Sequence, residues 1–510
     1  ELKRMLDKRE LKKTEIAFNN ALPIYWALLL GAVVAGSLRA SWEVENGKKN
    51  FGFGLRDRSD TVVWLDPLIF PCAVVLYLGA GVFWYAKMKT TPELVNIVFV
   101  IFLFVSISFR LLLLLLAILT KYYSARSCAA FWLIPIFLYY QPQVFYSYSI
   151  LPPKIILYIP GTLLRLLLCI WLTGFGIIFV WQVISHIRFS GKLKRYSLPV
   201  TDKVLLHKWE SMKEERNISY PIGLKYCSVI TTPLTVGMWK KNKVTYLPEK
   251  KFSGEEAELI FSHELWHIQR KDTHTKFFLR FCNALGWIHP FVWLAIKKAE
   301  DDLELSCDDA VLRGADSERR KKYAQLLLSI AGDSRGFSTC LSASAKTLRY
   351  RLNATMPGNS KRLGLFLLFL VTFLSFLSVG NLAMATDRGT IAELSGRDLT
   401  RVEDAEIWDA DGESRIMIED TEGLAEYLEA LQVEKVLTDY DAAASETDGQ
   451  YLFGSVAGSE LSFSIYDDYL VIYDPDKGRE QYHLCTPTDW DQIRMQYREG
   501  GKRSADICVE

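Results

Sequence analysis

At 510 residues the chain is long enough for several folded units. Half of its residues are hydrophobic, and the net charge of +1 leaves no chain-wide basic footprint for direct nucleic-acid binding. The nine cysteines include no C-x-x-C pair, which excludes a zinc ribbon or a dithiol redox motif.

The averages hide an uneven distribution. Basic residues start the chain (Lys3, Arg4, Lys8, Arg9, Lys12, Lys13). Apolar runs long enough to cross a bilayer follow at Ala21–Leu38, Pro67–Ala86, Leu94–Leu119 and Pro160–Ile184, with a last one at Leu363–Ala385. The run Ala129–Tyr148 is rich in Tyr and Phe and broken by Pro135 and Pro142. It reads as a further span or as a re-entrant segment. Lys and Arg cluster at Arg188–Arg195 and at Arg349–Arg362, so both ends of the 188–362 segment are expected on the cytoplasmic side. The tail from Thr386 onward carries 30 acidic against 11 basic side chains and is expected outside. Five spans before residue 188 would put the basic N-terminus outside, against its charge, and the sequence leaves that side open. In the tail, Cys485 and Cys508 either pair or stand as two thiols.

Within 188–362, Ser228–Thr232 and Lys243–Leu247 read as short strands. Ser253 and Glu256 form a capping-box signature at the start of a helix. A second helix is expected over Trp287–Leu312, with Pro290 tolerated in its first turn. The tail alternates short strands (Glu406–Trp408, Arg415–Ile418, Leu461–Ile465, Leu470–Tyr473) with helical stretches (Leu424–Leu431, Asp489–Tyr497), the pattern of a small α+β module with an antiparallel sheet.

The capped helix holds His263-Glu264-Leu265-Trp266-His267. Residues four apart share a helix face, so His263 and His267 can offer two imidazoles to one zinc ion, and Glu264 can act as general base. Zinc would supply an acidified water and polarise a scissile carbonyl. A third protein ligand is needed. A second histidine-based pattern would require a Gly and a His where Arg270 and Thr273 stand, which leaves His274 out of register and reads it as an ordinary polar residue. Glu304 is the better third ligand, with Asp308 on the same face to orient a ligating imidazole. By itself the run Glu300–Asp309 would pass for a solvated acidic face; the His motif is what makes Glu304 a ligand candidate. Cys307 reads as a buried structural thiol, and His289 as a helix-entry histidine. Thr232, Pro233, Leu234 and Thr235 are candidates for a strand edge that receives a peptide substrate by β-addition, or for an ordinary strand end.

Five ordered segments resemble the BlaR/MecR family of membrane metalloproteases, over about Leu94–Gly380. They are Thr232–Gly237, Tyr246–Glu249, Phe261–Asp272, Trp287–Trp293 and Glu304–Val311. The resemblance implies an α-helical multi-span membrane protein of the bacterial cell membrane. A gluzincin-like α+β zinc metalloprotease domain is inserted on the cytosolic side, with His263, His267 and Glu304 as ligands and Glu264 as general base. It makes the two runs before Leu94 extra and Ala129–Tyr148 a true span. The expected units are residues 1–93 (two extra spans), 94–187 (a three-span bundle), 188–362 (the protease), 363–386 (the last span) and 387–510 (a small acidic extracellular α+β domain). The family function is signal transduction through cleavage or inactivation of a cytosolic repressor, a winged-helix DNA-binding protein. By the same analogy, Gly332–Thr347 is an autocleavage segment. The sequence departs from the β-lactam sensors in one respect: the tail has no Ser-x-x-Lys and no Lys-Thr-Gly, so acylation by a β-lactam is not expected and the extracellular ligand is unknown. A constitutive membrane protease, or a receptor without turnover, would fit the same residues, although an intact Glu264 disfavours the receptor.

Overall fold

The structure is a computed structural model that describes residues 21, 24–40, 42–43, 66–76, 79, 92–120, 122–134, 148–149, 153, 155–332, 348, 351–352, 364–378, 382–399, 401–408, 415–437, 439–440, 450–475 and 478–495. Cys508, most of the aromatic run (135–147) and nearly all of the expected autocleavage segment (333–347) lie outside these residues.

Four helices open the described chain: α1 (Ile24–Ala40), α2 (69–76), α3 (Pro92–Leu119) and α4 (Ala125–Phe131). Strand β1 (Ile155–Tyr158) then leads into α5 (Gly161–Arg195). Among the described residues, α5 is the one helix long and apolar enough to cross a membrane; Ile24–Ala40, Ser106–Leu116 and Leu365–Leu374 are shorter apolar helices. At 1.5 Å per residue α5 is about 52 Å long, so its basic last turn (Lys192, Lys194, Arg195) extends well past any apolar layer.

Strand β2 (Ser197–Pro199) and helix α6 (Lys203–Glu215) follow, then β3 (Gly223–Cys227), β4 (Leu234–Val236) and β5 (Val244–Pro248). These strands form a four-stranded sheet in the order β2-β3-β5-β4, which leaves β4 on an edge, paired antiparallel to β5. Residues 228–232, expected as a strand, instead turn the chain away after Cys227, because Ile230 is buried in a small apolar cluster with Leu193, Leu234 and Tyr246.

Four helices complete the unit: α7 (Gly254–Gln269), α8 (Asp272–Leu285), α9 (Pro290–Val311) and α10 (Ser317–Gly332). The capping box forms as expected: Glu256 N donates to Ser253 Oγ at 3.2 Å and Ser253 N donates to Glu256 Oε2 at 2.7 Å. Helix α9 begins at Pro290 rather than Trp287, since His289 before the proline is held extended (φ −100°, ψ 109°).

Helix α11 (Leu365–Ser378) ends earlier than the apolar run that contains it. Leu382–Ala385 belong to strand β6 (Leu382–Thr390), which pairs parallel with β1 and antiparallel with a later strand; ladder hydrogen bonds take these apolar residues out of the helix. The tail adds α12 (Ile391–Ser395), β7 (Val402–Trp408), β8 (Arg415–Met417), α13 (Thr421–Ala430), β9 (Gln432–Val436), β10 (Tyr451–Val456), β11 (Ser462–Ile465), β12 (Tyr469–Asp474), β13 (Gly478–Leu484) and α14 (Trp490–Met495). Its sheet runs β1-β6-β9-β13-β12-β11-β10-β7-β8, so the expected α+β module is present, with β1 recruited from before α5. The N-terminal end of α5 therefore meets the tail sheet and its C-terminal end the peptidase-like sheet.

Candidate metal centre

Two helices bring the three expected donors together. His263 and His267 lie one turn apart on α7, and Glu304 comes from α9, which packs against it. His267 Nε2 is 3.0 Å from His263 Nε2; Glu304 Oε2 is 3.4 Å from His263 Nε2 and 3.6 Å from His267 Nε2. Ligands about 2.05 Å from a tetrahedral zinc sit roughly 3.3 Å from one another, so the donor set fits that ion without rearrangement. The three form a cluster able to hold a metal, whereas His274 and His289 do not join it.

Each ligand is held by a neighbour. His267 Nδ1 donates to Asp272 Oδ2 at 2.7 Å, which directs Nε2 to the metal position. Asp272 reaches back because Lys271 takes a left-handed conformation (φ 53°) that reverses the chain between α7 and α8. His263 Nδ1 lies 3.2 Å from Asp308 Oδ1, as the sequence spacing suggests, and 3.1 Å from the Tyr323 hydroxyl. Tyr323 donates to Asp308 at 2.6 Å, and Arg351 grips both Asp308 oxygens at 2.6 Å. Lys276 Nζ donates to Glu304 Oε1 at 2.9 Å and leaves Oε2 for the metal. Asp272, Lys276, Tyr323 and Arg351 were not identified from sequence. Only Asp272, inside the motif segment, carried any local signal; the other three arrive from separate elements.

These charges set the protonation of the site. Burial opposes ionisation of Glu304, but the Lys276 charge and the two histidines outweigh it and hold the carboxyl well below its usual range. Burial likewise opposes the Asp308 carboxylate, and Arg351 and His263 bring it far down. Burial would lower the His263 pKa, yet Asp308 and Glu304 leave it raised. Burial also acts against protonated His267, and the surrounding Cys307, Glu304 and Asp272 raise it well above the usual imidazole value.

Glu264 is buried on α7, next to the ligands, and its Oε2 accepts from Thr235 Oγ1 at 2.7 Å. Thr235 lies on edge strand β4 and also meets Thr245 Oγ1 at 2.9 Å. The edge strand thus touches the general-base candidate, a link the spacing did not reveal. Thr232 and Pro233 precede the strand, and Leu234 starts it. Cys307 is fully buried as expected, 3.4 Å from His267 Nδ1, and burial pushes its thiol pKa up. His274 faces away from the metal position, with Nδ1 3.0 Å from Asp66 and Nε2 donating to Met238 O at 3.0 Å.

A helix-borne pair of imidazoles, a carboxylate from a second helix and an adjacent buried glutamate beside a sheet edge define the class of site found in metallopeptidases. Residues 147–354 match the family described as BlaR1 peptidase M56, a metallopeptidase family. Over that stretch the chain is similar to BlaR/MecR-type proteins. It is similar to the regulatory protein BlaR1 of Bacillus licheniformis, with 29% identity over 182 residues that make up 36% of this chain and 30% of that protein. The chain therefore aligns with less than a third of that relative.

Proposed function

We propose that this chain is a membrane-embedded, multi-pass zinc metalloendopeptidase of gluzincin type that acts as a signal transducer. Its peptidase unit faces the cytoplasm and cleaves or inactivates a transcriptional repressor of winged-helix type. The observation that carries this reading is the contact between edge strand β4 and the metal centre through Thr235 and Glu264.

Zinc, when bound, supplies an acidified water and a Lewis acid for the scissile carbonyl. His263, His267 and Glu304 hold it, and Asp272 and Asp308 fix the imidazole tautomers. A substrate strand adds to β4 through its free backbone groups, which sets the scissile bond across the end of α7. Glu264 takes the proton from the attacking water and passes it to the leaving amine, while Thr235 keeps the carboxylate aimed. The acidic tail, with β1, forms an extracellular module.

The test uses purified full-length protein, zinc, and a candidate repressor or a fluorogenic peptide, with mass spectrometry of residues 332–347 for autocleavage. Wild-type protein should cut and Glu264→Ala should not, and chelation should abolish cutting. Equal cleavage by both would sink the reading.

A further inference from the structure

Between Arg280 and Lys297 lie 16 residues without a formal charge, covering the end of α8, the connection 286–289 and the first turns of α9. The run is too short to cross a bilayer but has the length of a re-entrant segment. We propose that the α8–α9 hairpin dips into the bilayer from the cytoplasmic side, with its tip among lipid acyl chains at the depth of the middle of α5. The proposal rests on α5 crossing the membrane.

Contacts with α5 fix the depth. Phe277 and Phe281 of α8 pack on Phe179 and Phe175 of α5, so the two helices run antiparallel with α8 ending deepest. At the tip, Trp171 Nε1 donates to Leu285 O at 2.9 Å and Trp287 Nε1 donates to Trp171 O at 3.2 Å. The Trp287 ring lies on Gly174, where an added Cβ would clash with it. Gly174 is about 20 Å of helix from Gly161 and about 21 Å from Arg188, which is mid-membrane for an apolar core roughly 30 Å thick.

The surface of the tip suits lipid rather than water. Ile288 is 54% exposed, Phe291 42%, Trp293 41% and Leu294 56%, four exposed apolar side chains between 288 and 294, with the Arg110 guanidinium of α3 over the Phe291 ring. Irregular backbone at that depth must satisfy its polar groups within the protein. Here Leu285 O accepts from Trp171, Gly286 O from His289 N, Trp287 O from Trp293 Nε1 and His289 O from Val292 N.

The hairpin also sets the height of the metal centre. Asp272 begins α8 about 20 Å before Leu285, and Glu304 lies about 21 Å beyond Pro290, so both reach the cytoplasmic interface. Peptide substrate is then cut at the membrane surface.

Full-length protein reconstituted in phosphatidylcholine vesicles with an acyl-chain diazirine, then irradiated and mapped by mass spectrometry, tests this. Crosslinks should appear both on the outer face of α5 (Ile177, Val180, Trp181) and within 286–294. Crosslinks on α5 with none in 286–294 overturn the hairpin alone. Absence from both overturns the membrane reading of α5 and the hairpin with it. A second measurement uses Ile288→Cys and Arg313→Cys in sealed inverted vesicles with a membrane-impermeant maleimide. Labelling at 313 but not at 288 is expected; equal labelling refutes the insertion.

Discussion

The peptidase unit and the tail module differ in where they place their buried charges. The tail closes around an apolar cluster that includes Ile407, Leu424, Val433, Phe463, Leu470 and Ile472, and its ion pairs are dispersed, with the buried Arg397 on Glu480 and Asp474 and Arg388 on the buried Glu434. The peptidase unit gathers the buried Asp272 and Asp308 and the half-buried Glu304 and Arg351 around one point. Buried charges cost desolvation that their pairing only partly returns, so the arrangement is poor as a source of stability and good as a preset donor cage.

The sharpest break between them should come from Glu264→Gln. Loss of the proton acceptor should reduce peptide hydrolysis about 10²–10⁴-fold while zinc content, read by mass spectrometry of the metal, stays at the wild-type level. In the tail, Phe463→Ala removes a fully buried ring stacked against Gly454 and should cost about 3–5 kcal/mol of that module's stability. Denaturant titration should report the loss with zinc affinity unchanged; a fall in zinc affinity would show the two regions to be one cooperative unit.

Smaller effects refine the cage. Asp272→Asn should weaken zinc affinity about 10–100-fold by releasing the His267 tautomer, measured by competition with a chelating dye. Acidification probes the same contacts: a raised imidazole pKa favours the protonated, non-ligating form. Zinc affinity should therefore begin to fall above the ordinary histidine value of 6.5, by up to about tenfold per pH unit for each proton displaced. Glu304, held well below the carboxylate range, stays ionised throughout that window. A titration centred near pH 4 would contradict this order. The mildest expected change is Thr235→Val, which removes one hydrogen bond to Glu264 and should lower kcat about three- to tenfold with little change in KM.

Much was legible in sequence because it depends on local spacing. The four-residue interval between His263 and His267 fixes a shared helix face, Ser253 and Glu256 set where that helix starts, and Glu304 and Asp308 repeat the same interval on the next helix. The long apolar content of α5 also needs no partner to be read. Other features depend on pairing across the chain. Leu382–Ala385 look like the end of an apolar helix until β1 and β9 claim them as strand. Lys276, Tyr323 and Arg351 reach the metal centre from three further segments, so no spacing rule could nominate them. A periodic pattern records what each residue does along its own helix or strand. The tertiary structure decided which distant charges met around the ligands and how deep the α8–α9 connection lies against α5.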